Sequence, residues 1–246
     1  MIDITMTACI RPDIFERTLK SIGENIDYRP LRLIVDVAPI GITNKYSSEY
    51  MVEFIQSICN KYDIQVTTRA LAVSWQSEAL RWTWKEAITP YVLQWEDDWV
   101  LRQKLDLYML VDLMQKHYNI GMIYFDRYQK SVLTHKQYKG FFINSKSAYN
   151  DNIYIRIKDK TLGGPPALLS REYMRQVIPI IKDNECLDIT SESKKAQELL
   201  KSWILCVYTG DGNKGNLVED IGKEWLANHN FKRIKRTDKG VQWIKN

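Results

Sequence analysis

The chain has 246 residues, of which 45% are hydrophobic and 26% are charged, so it can bury the core of one large α/β domain. Its 3 histidines exclude a histidine-rich metal centre and its 4 cysteines form no CxxC pair, so a metal ion would be held mainly by oxygen ligands. The net charge is +5, no apolar run approaches the roughly 18 residues that span a bilayer, and the first residues lack the features of a signal peptide. We therefore expect a cytoplasmic location without stable membrane insertion.

The first hundred residues alternate between strand and helix patterns. Short apolar runs bounded by turn residues predict strands, and apolar residues at three- and four-residue spacing predict helices. In chain order, these are a strand at 2–8, a helix at 14–25, a strand at 31–37, a helix at 46–62, a strand at 65–69, a helix at 74–88 and a strand at 91–95. The alternation predicts an α/β fold with a Rossmann-like, doubly wound, mostly parallel central sheet and flanking helices.

The second half of the chain has a less regular pattern. The predicted elements are a helix at 105–117, a strand at 121–126, hairpins and loops at 130–160, a Gly- and Pro-rich break at 161–166, and helices from 171, at 193–205 and from about 218. Because no internal repeat and no low-complexity linker interrupts the sequence, we expect a single domain over residues 1–246.

Polar residues cluster where three of the predicted strands end. They are Thr7 to Arg11, Asp36, and the consecutive acids Glu96, Asp97 and Asp98. In parallel sheets, ligands bind beyond the carboxyl ends of the strands. Three adjacent acids repel one another, and a bound divalent cation offsets that repulsion and can bridge two phosphates. The alternative interpretation is an acidic turn on the surface.

These residues resemble the glycosyltransferases of the GT-A fold, above all the family-2-like enzymes. Thr5–Pro12 and Phe15–Ile22 are similar to their first strand and helix, Leu33–Asp36 to their second strand, and Glu96–Asp98 to their DxD motif. The resemblance covers most of the chain and includes short stand-alone enzymes of bacteria and large DNA phages. It implies transfer of a hexosyl or pentosyl group from a nucleoside diphosphate sugar, a UDP-sugar above others, with Mn²⁺ or Mg²⁺. Residues 1–100 would form the nucleotide-sugar half and residues 101–246 the acceptor half.

The resemblance also implies roles for individual residues. Asp98 would be the main metal ligand, and His229 would complete the metal shell. The residues implied to bind the nucleotide sugar are Thr7, Arg11, Asp36, Arg69, Glu96, Asp97, Gly163 and Gly164. The segment after Asp36 departs from the family pattern, so the nucleobase stays open.

Val218–Trp225 resembles the second acidic motif of the family. An acceptor hydroxyl must lose a proton as it attacks an anomeric carbon, so the chemistry requires a base. The resemblance implies that Asp220 is this base in an inverting reaction, and that Glu219 orients the base or the acceptor. The alternative is an ordinary helix N-cap at Asp220.

The charge distribution gives only general information about the acceptor. Lys232, Arg233, Lys235 and Arg236 form a basic segment that can contact the phosphates of duplex DNA. A hydroxymethylated DNA base, flipped into the site, and a saccharide are both open as acceptors. A phage origin would place the reaction in the host cytoplasm. The alternative for the segment is a solvated basic tail.

Two other function classes are alternatives to glycosyl transfer. A nucleotidyltransferase of a related fold would carry a glycine-rich loop after its first strand, and Ala8–Pro12 contains no glycine. A non-catalytic protein that binds nucleic acid or carbohydrate is compatible with the basic segment and with the 8 Trp and 14 Tyr residues. Two separate acidic motifs at element ends favour the enzyme.

Overall fold

A nine-stranded mixed β-sheet forms the centre of the protein, as a computed structural model shows. The structure describes residues 1–70, 76–126, 138–140, 153–156, 160–164, 166–183, 190–211, 214–236 and 240–245. The strands of the central sheet are β1 (Ile2–Ile10), β2 (Leu31–Gly41), β3 (Ile64–Ala70), β4 (Tyr91–Glu96), β6 (Ile120–Phe125), β7 (Tyr138–Gly140), β8 (Ile153–Arg156), β9 (Ala167–Ser170) and β10 (Ile204–Tyr208). Two short pairs lie outside this sheet: β5 (Trp99–Leu101) with β11 (Val218–Asp220), and β12 (Phe231–Arg236) with β13 (Gly240–Lys245).

Helices cover both faces of the sheet. They are α1 (Pro12–Asn25), α2 (Ser48–Lys61), α3 (Gln76–Glu86), α4 (Leu107–Lys116), α5 (Arg171–Val177), α6 (Lys194–Ser202) and α7 (Gly222–Asn228). The strand order is β3-β2-β1-β4-β9-β6-β10-β8-β7, and β1 to β4 run parallel to one another. The predicted α/β fold with a mostly parallel, doubly wound sheet is confirmed.

Alternation along the strands divides the core into two layers. On β2, Leu33 and Val35 face the layer that contains α1, α2 and α4, whereas Ile34 faces the layer that contains α3, α5 and α6. A third, smaller apolar cluster joins α1, β5 and α7, and it includes Ile14 and Trp225. This small cluster lies next to the acidic segment after β4 and therefore matters for the site.

Two predicted helices differ from the structure. The helix predicted at 193–205 ends at Ser202, because residues 204–208 pair with β6 and β8 as strand β10. The helix predicted from about 218 begins at Gly222, because residues 218–220 pair with β5 as strand β11. In both cases tertiary pairing overrides a locally helical pattern.

The basic segment near the end of the chain is strand β12 of the β12–β13 hairpin and not an irregular tail, and its described basic side chain, Lys232, is exposed to solvent. Most of the hairpins and loops predicted at 130–160 lie outside the described residues, as does Cys186, while Cys9, Cys59 and Cys206 are free thiols. In the described part of the chain, none of the helices combines the length and apolar character needed to cross a bilayer.

Candidate functional site

Four predicted site residues form one row across four parallel strands. Thr7 is in register with Asp36 on β2 and with Glu96 on β4, and Asp36 is in register with Arg69 on β3. Residues in register on adjacent strands share a face of the sheet. The polar clusters that the sequence placed at separate strand ends are therefore neighbours in space, at the carboxyl edge where ligands bind in such sheets.

Asp36 and Arg69 hold each other within this row. Asp36 is fully buried and accepts a hydrogen bond of 2.5 Å from Nε of Arg69. The Arg69 guanidinium also lies 4.6 Å from the ring centre of Trp82 and 3.6 Å from the carboxylate of Glu78, both on α3. The side of the row at β3 is thus fixed by a charge pair and an aromatic contact.

Asp97 and Asp98 make the turn between β4 and β5, which we name the acid loop. Asp97 is anchored by its backbone as well as its side chain. Its N–H donates to the carbonyl of Thr7 at 3.3 Å, and its carbonyl accepts from the Thr18 hydroxyl at 2.7 Å. Its carboxylate accepts from the N–H of Cys9 at 2.9 Å. Asp97, the middle acid of the triplet, is therefore held in place by hydrogen bonds to its backbone and to its side chain.

Arg11 is the main partner of Asp97. Its guanidinium donates to both carboxylate oxygens, from Nε at 3.2 Å and from Nη2 at 2.5 Å, and Nη2 lies 3.3 Å from Asp98 Oδ2. Arg11 is only 2% exposed, and its guanidinium carbon lies 5.4 Å from the ring centre of Trp225 and 4.8 Å from that of Trp243. Acids and aromatic rings thus enclose this cation.

Asp98 keeps contact with solvent, with 20% of its side chain exposed. Its pKa is raised to about 6: burial is the largest cause, Arg11 lowers the pKa, and the carboxylates of Asp97 and Asp220 raise it. A carboxylate in this setting is stabilised by additional positive charge. A divalent cation supplies such charge and reverses the repulsion among the acids.

Asp220 lies beside Asp98 although the two are far apart in sequence. On paired strands, Asp220 is in register with Trp99, the residue that follows Asp98. The N–H of Ile221 donates to the carbonyl of Asp98 at 2.9 Å, and the N–H of Gly222 donates to Oδ1 of Asp220 at 3.0 Å. A Cβ on Gly222 would lie 2.1 Å from Oδ2 of Asp98. Both carboxylates therefore meet at the backbone of this glycine.

Asp220 is not the N-cap of α7, since Ile221 occupies that position without a side-chain cap. Its side chain is 24% exposed, and its Oδ2 lies 3.6 Å from Nζ of Lys223. Glu219, the preceding residue of β11, points to the other side of the strand and pairs with Arg102 on the surface. The two acids of the motif thus have separate surroundings.

The acids suit a cation that is shared with a substrate. Among the described residues, no three His, Cys, Asp or Glu side chains come together as a metal cage. Mg²⁺ typically binds one or two carboxylates and completes its shell with substrate phosphates and water. Asp98, with Asp220 beside it, fits that mode of binding.

His229 follows the last residue of α7. Its Nδ1 lies 2.9 Å from the carbonyl of Trp225, and its ring stacks on the Trp225 ring at 4.2 Å. Since α7 is about 10 Å long at 1.5 Å per residue, His229 and Gly222 are at opposite ends of the helix. Its role as a metal ligand stays a prediction.

The remaining predicted residues lie on neighbouring elements. Gly163 and Gly164 lie beside β6, where a Cβ on Gly164 would be 3.3 Å from the Tyr124 ring. Lys232, Arg233, Lys235 and Arg236 lie on β12, and the exposed position among the described side chains is Lys232.

Several residues that support the candidate site are not indicated by the sequence motifs. Trp225 donates from its indole to Asp13 at 3.0 Å and stacks on Phe231, so it joins α1, α7 and β12. Gly222 has no side chain that would collide with the Asp98 carboxylate, and Thr18 anchors the acid loop through a hydrogen bond. The glycine two residues after Asp220 was the one signal available for this contact, since glycine permits close backbone approach.

Comparison with known proteins finds similar solved structures but no match by sequence. No family model and no curated protein matches the sequence. The structure is similar to S. aureus TarS 1-349 in complex with UDP-GlcNAc, with a TM-score of 0.51 and 12% identity, over 84% of this chain and 56% of that chain. It is also similar to the mannosyltransferase PcManGT from Pyrobaculum calidifontis in complex with GDP-Man and Mn²⁺, with a TM-score of 0.54 and 12% identity, over 85% and 57%.

The chain spans a little over half the length of the solved chains it matches. At 12% identity the likeness is one of fold. The protein therefore has a GT-A-like glycosyltransferase fold, which confirms the fold that the resemblance implied.

Proposed function

We propose that this protein is a glycosyltransferase that moves a hexosyl or pentosyl group from a nucleoside diphosphate sugar to an acceptor hydroxyl. One observation carries the proposal: Asp98 and Asp220, from two distant motifs, meet at the backbone of Gly222. They do so at the carboxyl edge of a sheet whose fold is that of glycosyltransferases. A transfer reaction needs one group for the diphosphate and one for the acceptor proton, and this pair supplies both.

The donor would bind along the row of polar residues. Thr7, Asp36, Arg69 and Glu96 share one face of the parallel strands, which supports the assignment of residues 1–100 to the nucleotide-sugar half. Similar folds bind UDP-GlcNAc in TarS and GDP-Man in PcManGT. Gly163 and Gly164 would lie against the donor sugar, where glycine allows close approach. A UDP-sugar is the first donor to test.

Asp98 would hold Mn²⁺ or Mg²⁺ together with the diphosphate. The cation, when bound, offsets the charge that develops on the diphosphate leaving group. The exposed part of the Asp98 carboxylate and the two neighbouring acids support this role, and the Mn²⁺ in the PcManGT complex is consistent with it. His229 is a second ligand only if its ring turns toward Asp98 from the far end of α7.

Asp220 would accept the proton of the acceptor hydroxyl. Direct attack of that hydroxyl on the anomeric carbon, opposite to the leaving diphosphate, gives inversion of configuration. Glu219 would orient the acceptor from the other side of β11, where it is paired with Arg102. The remaining part of the chain, residues 101–246, forms the acceptor half in this proposal.

The acceptor is either a saccharide or a hydroxymethylated base in DNA. The hairpin that carries Lys232, Arg233, Lys235 and Arg236 packs through Trp243 against Arg11, so the basic strand borders the proposed site. Electrophoretic mobility of duplex DNA at several salt concentrations separates the two acceptors. A shift that weakens with salt supports DNA, and the absence of a shift supports a saccharide.

A nucleotidyltransferase is disfavoured by the connection between β1 and α1. That connection is the single residue Arg11, which is buried and paired with Asp97, so no glycine-rich loop is available to hold a triphosphate. Release of pyrophosphate from a nucleoside triphosphate would revive this function. Turnover of a nucleotide sugar would exclude a purely binding role.

The test compares two substitutions in the acid pair with a control. Asp98→Ala is expected to lose Mn²⁺-dependent binding of UDP- and GDP-sugars in calorimetry. Asp220→Asn is expected to keep that binding and to lose turnover by at least about a hundredfold, the usual contribution of a general base. Asp112→Asn, on the surface of α4, should behave as wild type. Normal turnover by Asp220→Asn would show that the mechanism is wrong.

A further inference from the structure

Arg11 has surroundings that its predicted role as a donor ligand does not explain. The side chain is 2% exposed, and its guanidinium donates to Asp97 twice and to Asp98 once. Its remaining nitrogen, Nη1, is buried and has no hydrogen-bond partner among the described residues. Burying a guanidinium away from water costs free energy unless acids pair with it. The charge of Arg11 is therefore used in pairing with Asp97 and Asp98 of the protein itself.

The contacts of Arg11 converge on the acid loop. Nη2 contacts Oδ1 of Asp97 at 2.5 Å and Oδ2 of Asp98 at 3.3 Å, so one nitrogen links both carboxylates of the loop. The bidentate pairing with Asp97 fixes the plane of the guanidinium. The orientation of Asp98 is therefore set jointly by Arg11 on one side and by the backbone of Gly222 on the other.

The opposite side of Arg11 is closed by aromatic rings from the end of the chain. Trp225 on α7 and Trp243 on β13 lie 5.4 Å and 4.8 Å from the guanidinium carbon, and the two rings also contact each other. An aromatic face attracts a cation, and the attraction is larger where water is excluded. Through Trp243, the hairpin thus contacts the buried cation that holds the acid loop.

We infer that Arg11 is a positioning residue that acts through Asp98, and that Trp243 of the C-terminal hairpin holds Arg11 in place. This inference rests on the proposed function, because it assigns the supporting groups of the proposed cation site. Groups that orient a metal ligand change metal affinity about ten- to hundredfold when they are replaced. The hairpin is accordingly part of the support of the cation site, in addition to any contact with the acceptor.

The experiment measures Mn²⁺ affinity in the presence of saturating UDP or GDP, by the electron paramagnetic resonance signal of free Mn²⁺. Arg11→Lys keeps the charge but cannot bridge both acids, and it should weaken Mn²⁺ binding about tenfold or more. Trp243→Leu should weaken it about threefold, in line with one cation–π contact. In both variants, saturating Mn²⁺ should restore most of the turnover, which a general loss of structure would not allow.

Two matched controls lie away from the acid loop. Arg32→Lys makes the same change in another Arg–Asp pair with a buried acid, between β2 and β1, in which Arg32 donates to Asp3 twice at 2.8 Å. Trp203→Leu removes a tryptophan from the core layer on the other face of the sheet. Both should lower stability and leave the Mn²⁺ affinity unchanged.

The outcomes separate this inference from the proposed function. If wild type shows no Mn²⁺-dependent nucleotide binding, the proposed function is wrong and the inference falls with it. If wild type binds but Arg11→Lys and Trp243→Leu match its Mn²⁺ affinity, or the controls weaken it equally, only the inference is wrong. If Arg11→Lys fails to fold, Trp243→Leu alone decides, because its side chain is partly exposed and lies on a peripheral hairpin.

Discussion

The carboxylate of Asp98 lies against Gly222 at a point where no side chain fits. An added Cβ would lie 2.1 Å from Oδ2 and 2.8 Å from the carboxyl carbon. The two residues come from the acid loop and from the first turn of α7, and they meet because β5 and β11 pair. The glycine therefore sets how closely the two acidic motifs approach.

Gly222→Ala tests this contact. The new methyl group should displace the Asp98 carboxylate by about 1 Å, and a displacement of that size at a reacting centre costs up to about a hundredfold in turnover. The measurement is turnover with a nucleotide sugar and Mn²⁺, together with the thermal unfolding midpoint. Alanine is a better helix former than glycine, so α7 itself should not be weakened.

Ala227→Gly is the matched control for Gly222→Ala. It lies in the same helix at an exposed position, and it should lower helix stability by about 1 kcal/mol without moving Asp98. Turnover near that of wild type in Ala227→Gly, with a large loss in Gly222→Ala, is the expected result. Equal turnover in both variants would contradict a steric role for Gly222.

Thr18→Val tests the anchor of the acid loop. The buried Thr18 hydroxyl donates to the carbonyl of Asp97 at 2.7 Å, and valine keeps the shape but leaves that carbonyl without this donor. The expected cost is about 1–3 kcal/mol in the free energy of unfolding, measured by urea denaturation. Mn²⁺ affinity should fall as well, because Asp98 is the next residue of the loop.

Thr83→Val provides the comparison for the acid-loop anchor. Its hydroxyl donates to the carbonyl of Leu80 in its own helix at 3.1 Å, and it is equally buried. Its replacement should cost less stability and leave Mn²⁺ affinity unchanged. The importance of the Thr18 contact is refuted if the two valine variants cannot be distinguished by Mn²⁺ affinity.

Asp3→Asn should destabilise the protein in a pH-dependent manner. Burial alone would raise the pKa of Asp3, but hydrogen bonds from Arg32, Thr89 and Ile88 outweigh it and lower the pKa. A lowered folded-state pKa gives stability that is present above the unfolded pKa of about 3.9 and is lost as the pH falls through the folded pKa.

The measurement for Asp3→Asn is urea unfolding at pH 7, 5, 4 and 3. At pH 7 the variant should be about 3 kcal/mol less stable than wild type, because Arg32 is left without its acid. The difference should be constant down to about pH 5 and should shrink below about pH 4. A difference that does not change with pH would show that Asp3 does not contribute through its charge.

Arg102 and Glu219 should contribute little to stability although they are paired. Both side chains are about half exposed, at 48% and 45%, and exposed pairs are worth about 0–1 kcal/mol. A double-mutant cycle with Arg102→Met and Glu219→Gln should therefore give a coupling energy below about 1 kcal/mol. A larger coupling energy would mean that the pair has a structural role, and an altered acceptor KM in Glu219→Gln would support its proposed part in acceptor orientation.

The sequence by itself determined the α/β class and the edge of the sheet at which the candidate site lies. The polar residues Thr7, Asp36 and Glu96 near the ends of the predicted strands are local signals, and parallel strands bring their carboxyl ends to one edge. The resemblance to the GT-A fold then followed from residues that are close together in the chain.

Only the tertiary structure decided which residues touch. The β5–β11 pairing brings Asp220 beside Asp98 across more than a hundred positions of sequence, and it converts a segment with a helical pattern into a strand. Trp243 closes over Arg11 because a hairpin folds back onto α7, which no local pattern reports. Periodicity and motif spacing describe neighbours along the chain, whereas these contacts depend on long-range pairing and on the space left by Gly222. The sequence therefore indicated the acids Asp98 and Asp220, and the fold determined how they are held together.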